Sequence, residues 1–300
     1  MAKAGFTEGV APFRDWQTWY RVTGDLSSGV TPLVVAHGGP GCTHDYVVSI
    51  AAIAETGRPV VHYDQLGAGR STRLRDRGAD FWTVELFLDE LDNLLGALGI
   101  ADRYFLLGQS WGGMLGAEHA VRRPAGLRAL VISNSPASMA LWRSEATRLR
   151  SLLAPEVADV LDRHEAAGTT SDPEYLAAEQ AYYDEHVCRV VPNPQEVRAT
   201  KAFMEDDSTV YNVMNGPNEF FCIGTLRDWT IVDRLHSVDV PTLLMSGRFD
   251  EATPATVQPY FELIDDVRWE IFESSSHMPF IEERERYMSV LRDFLDEHDR

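Results

Sequence analysis

Leu106-Leu107-Gly108-Gln109-Ser110-Trp111-Gly112-Gly113 runs from an apolar strand ending through Gly-x-Ser-x-Gly into a helical stretch, and its reading decides the fold. The pattern is that of a nucleophile elbow. A serine in such a turn sits on a strained backbone, and its neighbours must be nearly free of side chain, a demand that Gly108, Gly112 and Gly113 meet. The flanks agree. Arg103 to Leu107 reads as a short buried strand, and Met114, Leu115, Ala117, Glu118 and Ala120 are compatible with a helix up to Pro124. Ser110 is therefore expected above a sheet, at the start of a helix.

Working outward, short apolar runs alternate with helical patterns from residue 31 onward, the grammar of an α/β fold with a mostly parallel sheet and helices on both faces. Leu33–Ala36, Val60–Tyr63, Tyr104–Leu107, Ala129–Ile132, Thr242–Met245 and Arg268–Phe272 are continuous apolar runs, as expected of strands covered on both sides. The clearest helix follows Thr83 as N-cap. Val84, Phe87, Leu88, Leu91, Leu94, Leu95 and Leu98 form its stripe and Gly99 closes it. The first 25 residues, with Phe13, Trp16, Thr18, Tyr20 and Val22, read as an antiparallel edge hairpin.

Between about Ser138 and His236 the strand pattern stops and the text becomes helical, acidic and aromatic. This reads as an inserted helical cap, residues 138–236, interrupting a core made of 1–137 and 237–300. Such an insert is expected over the C-terminal ends of the strands, where sheets of this kind place their ligands. Its aromatic residues Tyr182, Tyr183, Phe203, Tyr211, Phe220, Phe221 and Trp229 divide between pocket and cap core, with Tyr211 and Phe220 the pocket candidates.

The 300 residues, 44% apolar, suffice for a large core, and a net charge of −19 argues against nucleic acid or an anionic membrane surface as partner. Residues 1–10 lack the apolar centre of a signal peptide, and no apolar run approaches the roughly 18 residues of a membrane span. A cytoplasmic location is expected. Cys42, Cys188 and Cys222 have no metal-ligand spacing and suit free thiols in a reducing compartment. No metal is called for, and Gly67-Ala68-Gly69 lacks the dinucleotide fingerprint, so no cofactor is expected either.

A serine hydroxyl needs a histidine to take its proton, and the histidine needs a carboxylate to fix its tautomer. In the order Ser, acid, His, the chain offers Asp250, just past the strand ending Met245, and His277, past the next strand. Ser110, Asp250 and His277 form the expected triad. Acyl transfer also needs two backbone donors for the developing oxyanion. His37-Gly38-Gly39-Pro40-Gly41 follows the first buried strand, which makes the Gly39 and Trp111 N–H groups the candidates. Asp64, Arg70 and Ser71 read as architectural, with an Asp64–Arg70 pair expected, and Cys42 lies beside the oxyanion loop.

His37-Gly38-Gly39-Pro40-Gly41, Tyr63 to Ser71, Gly108 to Gly113 and Gly216-Pro217-Asn218-Glu219-Phe220 resemble the proline iminopeptidase family of α/β-hydrolases over nearly the whole chain. The resemblance implies a serine exopeptidase that releases an N-terminal residue from a small molecule or short peptide with a free amine. It also implies a use for Glu219 and Glu251, which match positions that bind the substrate's α-ammonium. Two carboxylates under a cap attract a cation strongly at reduced dielectric, and its position fixes the next carbonyl over Ser110.

After Ile132 the chain reads Ser133-Asn134-Ser135-Pro136, unlike the Leu-Arg-Gly segment of the proline-strict branch. This departure points toward broader aminopeptidases, amino-acid amidases and enzymes that remove an aminoacyl group from a small-molecule amine in natural-product assembly. An esterase or lactonase on the same triad is the competing chemistry, and Glu219 and Glu251 argue against it. A non-catalytic ligand-binding protein on the same fold would show a broken triad, whereas this one is intact. A dehalogenase or epoxide hydrolase would carry Asp where Ser110 stands.

Overall fold

The computed structural model describes residues 5–299, so Met1 to Ala4 of the amino-terminal stretch read above, and Arg300, lie outside the described residues. Eight strands among them form one sheet: β1 (Phe6–Phe13), β2 (Trp16–Thr23), β3 (Leu33–Ala36), β4 (Val60–Tyr63), β5 (Tyr104–Gln109), β6 (Leu127–Ser133), β7 (Thr242–Gly247) and β8 (Val267–Phe272). Their spatial order is β1-β2-β4-β3-β5-β6-β7-β8. The β1–β2 hairpin is antiparallel and joins β4 antiparallel, and every pairing from β4 to β8 is parallel. This is the α/β-hydrolase arrangement, with the expected edge hairpin at one end.

Continuous apolar strands are explained by their two covers. Successive side chains point to opposite faces, so Val34, Leu106, Leu130 and Leu244 enter one apolar layer while Leu33, Val35, Leu107, Val131 and Leu243 enter another. The first layer is closed by helices α1 (Val84–Ala97) and α2 (Trp111–Ala120), the second by a 3-10 helix (His44–Thr56) and by the carboxy-terminal helix Arg284–Glu297. Helix α1 begins as its sequence demands, with the Thr83 hydroxyl accepting from Leu86 N–H at 3.2 Å. The 3-10 helix carried no clear period-3.6 stripe and was not among the expected elements.

Between β6 and β7 the chain is helical: α3 (Met139–Arg150), α4 (Pro155–Ala167), α5 (Pro173–His186), α6 (Gln195–Asp206) and α7 (Thr209–Met214), followed by two 3-10 turns. Part of this segment has its own core, where Leu149, Leu161, Tyr175, Tyr182 and Phe220 pack together. The rest is continuous with the body: Met139, Trp142, Val210, Met214 and Leu226 share one apolar cluster with Trp111, Met114 and Leu115 of α2. The helices thus rest directly on the elbow. After β7 come α8 (Pro254–Leu263), α9 (Pro279–Glu282) and α10 (Arg284–Glu297). No helix among the described residues is long and apolar enough to cross a membrane.

The expected Asp64–Arg70 side-chain pair is a correction. The fully buried Asp64 carboxylate accepts from His44 Nδ1 at 2.8 Å and from the Arg70 backbone N–H at 2.9 Å. The turn folds the Arg70 amide onto the carboxylate, which sends its guanidinium outward over the Trp19 ring and toward Glu8.

Candidate active site

Ser110 is the N-cap of α2 and has φ 56° and ψ −124°, a conformation that a side-chain-bearing residue rarely adopts. Its geometry is over-determined. Its N–H donates to Ser133 C=O at 2.9 Å, and its own C=O accepts from Gly113 N–H at 2.8 Å. The His37–Gly41 loop closes over it from β3: a Cβ on Gly38 would stand 2.8 Å from Ser110 Cβ and 2.7 Å from the Tyr46 hydroxyl, so only glycine permits this approach. Gly39, Ser110 and Trp111 border one small niche together. Gln65 braces the loop, donating to His37 C=O at 2.8 Å while its Oε1 accepts from Trp111 Nε1 at 2.8 Å.

His277 arrives from the loop after β8 and Asp250 from the loop after β7. Their contact is short: His277 Nδ1 and Asp250 Oδ1 are 2.7 Å apart, which leaves Nε2 free to serve the cavity it shares with Ser110. Asp250 Oδ1 also accepts from Ala252 N–H at 2.8 Å, and Oδ2 accepts from Asn134 Nδ2 at 2.6 Å. Burial by itself depresses the imidazole, but the Asp250 carboxylate, helped by Glu219 and Glu282, outweighs it and holds His277 above its ordinary value of 6.5. The loop bearing His277 is strapped by acids: Glu282 accepts the Ser276 N–H and hydroxyl, and Glu283 accepts the Ser274 N–H and the Ser275 hydroxyl.

Glu219 and Glu251 reach the same region from different elements. Glu251 follows Asp250 directly and is 1% exposed, and neither of its carboxylate oxygens accepts a hydrogen bond from a described residue. Oε1 lies 3.8 Å from His277 Nε2. Glu219 comes from the segment after α7, borders both cavities and hydrogen-bonds the Tyr211 hydroxyl. Burial raises both carboxyls: for Glu219 it outweighs the Tyr211 hydrogen bond and the nearby His277, which favour the charged form, whereas Glu251, facing the acids Glu219 and Asp250 as well, is pushed well above 4.5.

Two spaces meet at Ser110. One is a niche of about 10 Å³, room for a single water-sized group, walled by Met114, Pro136, Met139, Trp142 and Leu226 with Glu219 at its edge. The other is a cavity of about 620 Å³ between the body and helices α5 to α7, reaching Gly39, Ser110, Glu219 and His277. Tyr183 and Tyr211 line the larger cavity, as does Glu179, whose carboxyl burial raises to about 7. Phe220 does not line either: it packs on Tyr182 and under Arg150 inside the helical segment's own core. Phe221 joins that core, Phe203 lies under Arg73, and Trp229 donates to Glu118. Cys42 borders the cavity with its thiol pushed up by burial, 3.3 Å from the Met204 sulfur.

The sequence does not single out Asn134, Gln109 or Tyr46, which hydrogen-bond the Asp250 carboxylate, the His277 C=O and the Gly38 N–H respectively. Asn134 follows β6 directly with φ 53°, and a polar residue at a strand's C-terminal end in a left-handed conformation was the available signal.

Comparison with known proteins extends this geometry. The family model described as alpha/beta hydrolase fold matches residues 31–284. The chain is 35% identical to a proline iminopeptidase of Clostridium botulinum over 294 residues, 98% of this chain and 99% of that protein. It is 37% identical to the proline iminopeptidase of Lactiplantibacillus plantarum, covering 96% of this chain and all of that one. Among solved structures, VinJ matches at 57% identity with a TM-score of 0.96, covering 97% of this chain and 99% of VinJ. Proline iminopeptidase of Mycobacterium smegmatis matches at 52% identity with a TM-score of 0.91, over 98% and 99% of the two chains.

Proposed function

This chain belongs to the proline iminopeptidase family of α/β-hydrolases and is a serine aminopeptidase acting on small amino-acid or peptide substrates, and from that premise we propose how its residues divide the work. Ser110 is the nucleophile, His277 its base and then its acid, and Asp250 the group that fixes the histidine tautomer and stabilises the imidazolium. The Gly39 and Trp111 N–H groups receive the oxyanion. Glu219 and Glu251 hold the substrate's free α-ammonium. Residues 138–236 act as the cap that keeps water from the pair of carboxylates.

The observation that carries this reading is Glu251. Two buried carboxylate oxygens without a hydrogen-bond donor are costly, since buried polar groups are nearly always satisfied. An ammonium brings three N–H donors and a compensating charge. Held there, it lies beside His277 Nε2, and the carbonyl one carbon along is delivered to Ser110. The side chain of the first residue then enters the small niche, and the leaving amine departs toward the larger cavity.

The reaction follows from these positions. Ser110 Oγ attacks the carbonyl carbon as its proton passes to His277 Nε2, and the tetrahedral oxyanion points at the two backbone donors. His277 returns the proton to the departing nitrogen, the amide C–N bond breaks, and the amino acid remains as an ester on Ser110. Water, deprotonated by His277, hydrolyses that ester. Ser110→Ala tests the assignment: turnover of an alanyl arylamide is expected to vanish with the fold intact, and retained turnover would remove Ser110 from its role.

A further inference from the structure

Three loops from separated strands must keep register for this chemistry: the oxyanion loop after β3, the elbow after β5 and the histidine loop after β8. Strands β3 and β5 are neighbours, but β6 and β7 stand between β5 and β8. One buried chain of hydrogen bonds crosses all three. Gly38 N–H donates to the Tyr46 hydroxyl at 2.6 Å, the Tyr46 hydroxyl donates to Gln109 Oε1, and Gln109 Nε2 donates to the His277 C=O at 3.1 Å.

The direction of this chain is forced. Tyr46 has one hydroxyl proton, and because the hydroxyl oxygen accepts from Gly38, the proton is free to go to Gln109. That pins Oε1 of the amide on Tyr46 and turns its NH2 to His277. Gln109 is 0%, Tyr46 4% and His277 5% exposed, so water does not compete for these groups. Position 109 needs an uncharged side chain that accepts at one end and donates at the other, which an amide does at every pH. Gly38 immediately precedes Gly39, Gln109 immediately precedes Ser110, and the acceptor is the backbone of His277 itself. Three of the four residues in this chain, all but Tyr46, therefore sit within one residue of a group in the proposed reaction.

We propose that Gln109 and Tyr46 are positioning residues that act as a single strap, setting the oxyanion donor of the Gly39 loop and the His277 ring against Ser110 at the same time. The inference rests on the assignment of Ser110 and His277 as reacting groups. Packing alone does not require the strap, because Phe at 46 and Met at 109 would fill the same volumes. What those replacements lose is register between loops, which the transition state needs more than the bound substrate does.

The test is a double-mutant cycle with an alanyl arylamide, using Tyr46→Phe and Gln109→Met, with Ser110→Ala as the check on the underlying assignment. The strap predicts that each single variant loses about 10- to 100-fold in kcat with KM changed less than about threefold, and that the double variant is no slower than the worse single by more than about threefold. Gln109→Glu adds a pH signature. Its carboxylate faces the His277 carbonyl at neutral pH, whereas its protonated form can donate there, so activity relative to wild type should rise as pH falls. Losses that multiply in the double variant, changes confined to KM, or kcat within threefold of wild type in both singles would overturn the strap while Ser110→Ala stays inactive. If Gln109→Met does not fold, Tyr46→Phe, which adds no volume, decides by its kcat and KM alone. An active Ser110→Ala would instead overturn the assignment beneath it.

Discussion

The Glu251 carboxylate lies 3.8 Å from Nε2 of His277, while the residue before it, Asp250, holds Nδ1 of the same ring at 2.7 Å. One imidazole thus has a carboxylate at each nitrogen. On the proposed reading, an ammonium that neutralised Glu219 would remove part of the field that holds His277 protonated, and the ring would become the neutral base more readily.

The first prediction is a pH profile. His277 must be neutral to act, and its titration lies above 6.5, so kcat/KM should rise with pH through a midpoint above that value. It should fall again as the substrate amine deprotonates near roughly 8. The acid limb of kcat, which reports the substrate complex, should lie lower than that of kcat/KM. An acyl ester without an amine should show no alkaline limb in this range and no separation of the acid limbs. Steady-state rates between pH 5 and 9 measure both.

Glu251→Gln should damage free-amine amides far more than simple aryl esters, by 100-fold or more in kcat/KM against less than about fivefold, and Glu219→Gln should follow the same pattern. The chemical reason is that only the amine substrate uses the carboxylates. Equal losses on both substrates would contradict the ammonium-binding role.

The same Glu251→Gln variant should be the more stable protein at pH 8. Because burial and neighbouring acids raise this carboxyl in the folded state above 4.5, the folded chain favours its protonated form. That contribution is present below the unfolded value and is lost as pH rises through the raised one. At pH 8 wild type must therefore either bury that charge or hold its proton against the solution, a cost that the amide variant lacks. A gain of about 2–4 °C in Tm, shrinking toward pH 4, is expected by scanning calorimetry.

Asn134 holds Asp250 Oδ2 at 2.6 Å, so it should matter to kcat although it does not reach the substrate. Asn134→Gly keeps the left-handed backbone without strain and removes one charge-assisted hydrogen bond, for which a loss of about tenfold in kcat is expected. Asp250→Asn, which presents the wrong partner to His277, should lose on the order of 10⁴.

The niche of about 10 Å³ beside Ser110 favours a small first residue. Alanyl arylamide should be turned over faster than the leucyl and phenylalanyl compounds. Met139→Ala, which removes one wall, should narrow that gap by tenfold or more. Ratios of kcat/KM for the three substrates measure it.

Much of this was legible in the residues because strand ends and glycine turns have local signatures. Apolar runs marked six of the eight strands, the hairpin was read from its alternation, and Ser110, Asp250 and His277 follow from loop position and chain order. The helical stretch after Ser138 was equally visible. What could not be read was tertiary. The 3-10 helix carrying Tyr46 has little periodicity, Asn134 is seen to touch Asp250 only once β6 and β7 pair, and Phe220 faces the helical segment's core because the hydrogen bonds of Asn218 to Phe220 and Phe221 turn the chain there. Arg70 was assigned a partner by charge, yet its backbone amide reached the carboxylate first.

The free α-ammonium proposed to sit on Glu219 and Glu251 is tested most directly by kcat/KM for alanyl arylamide with the amine free and with it acetylated, alongside a simple acyl ester. Turnover of the free-amine amide and none detectable of the acetylated one, a gap of at least about 10³, is the expected result. Comparable turnover of the two, or hydrolysis of the ester alone, would contradict it.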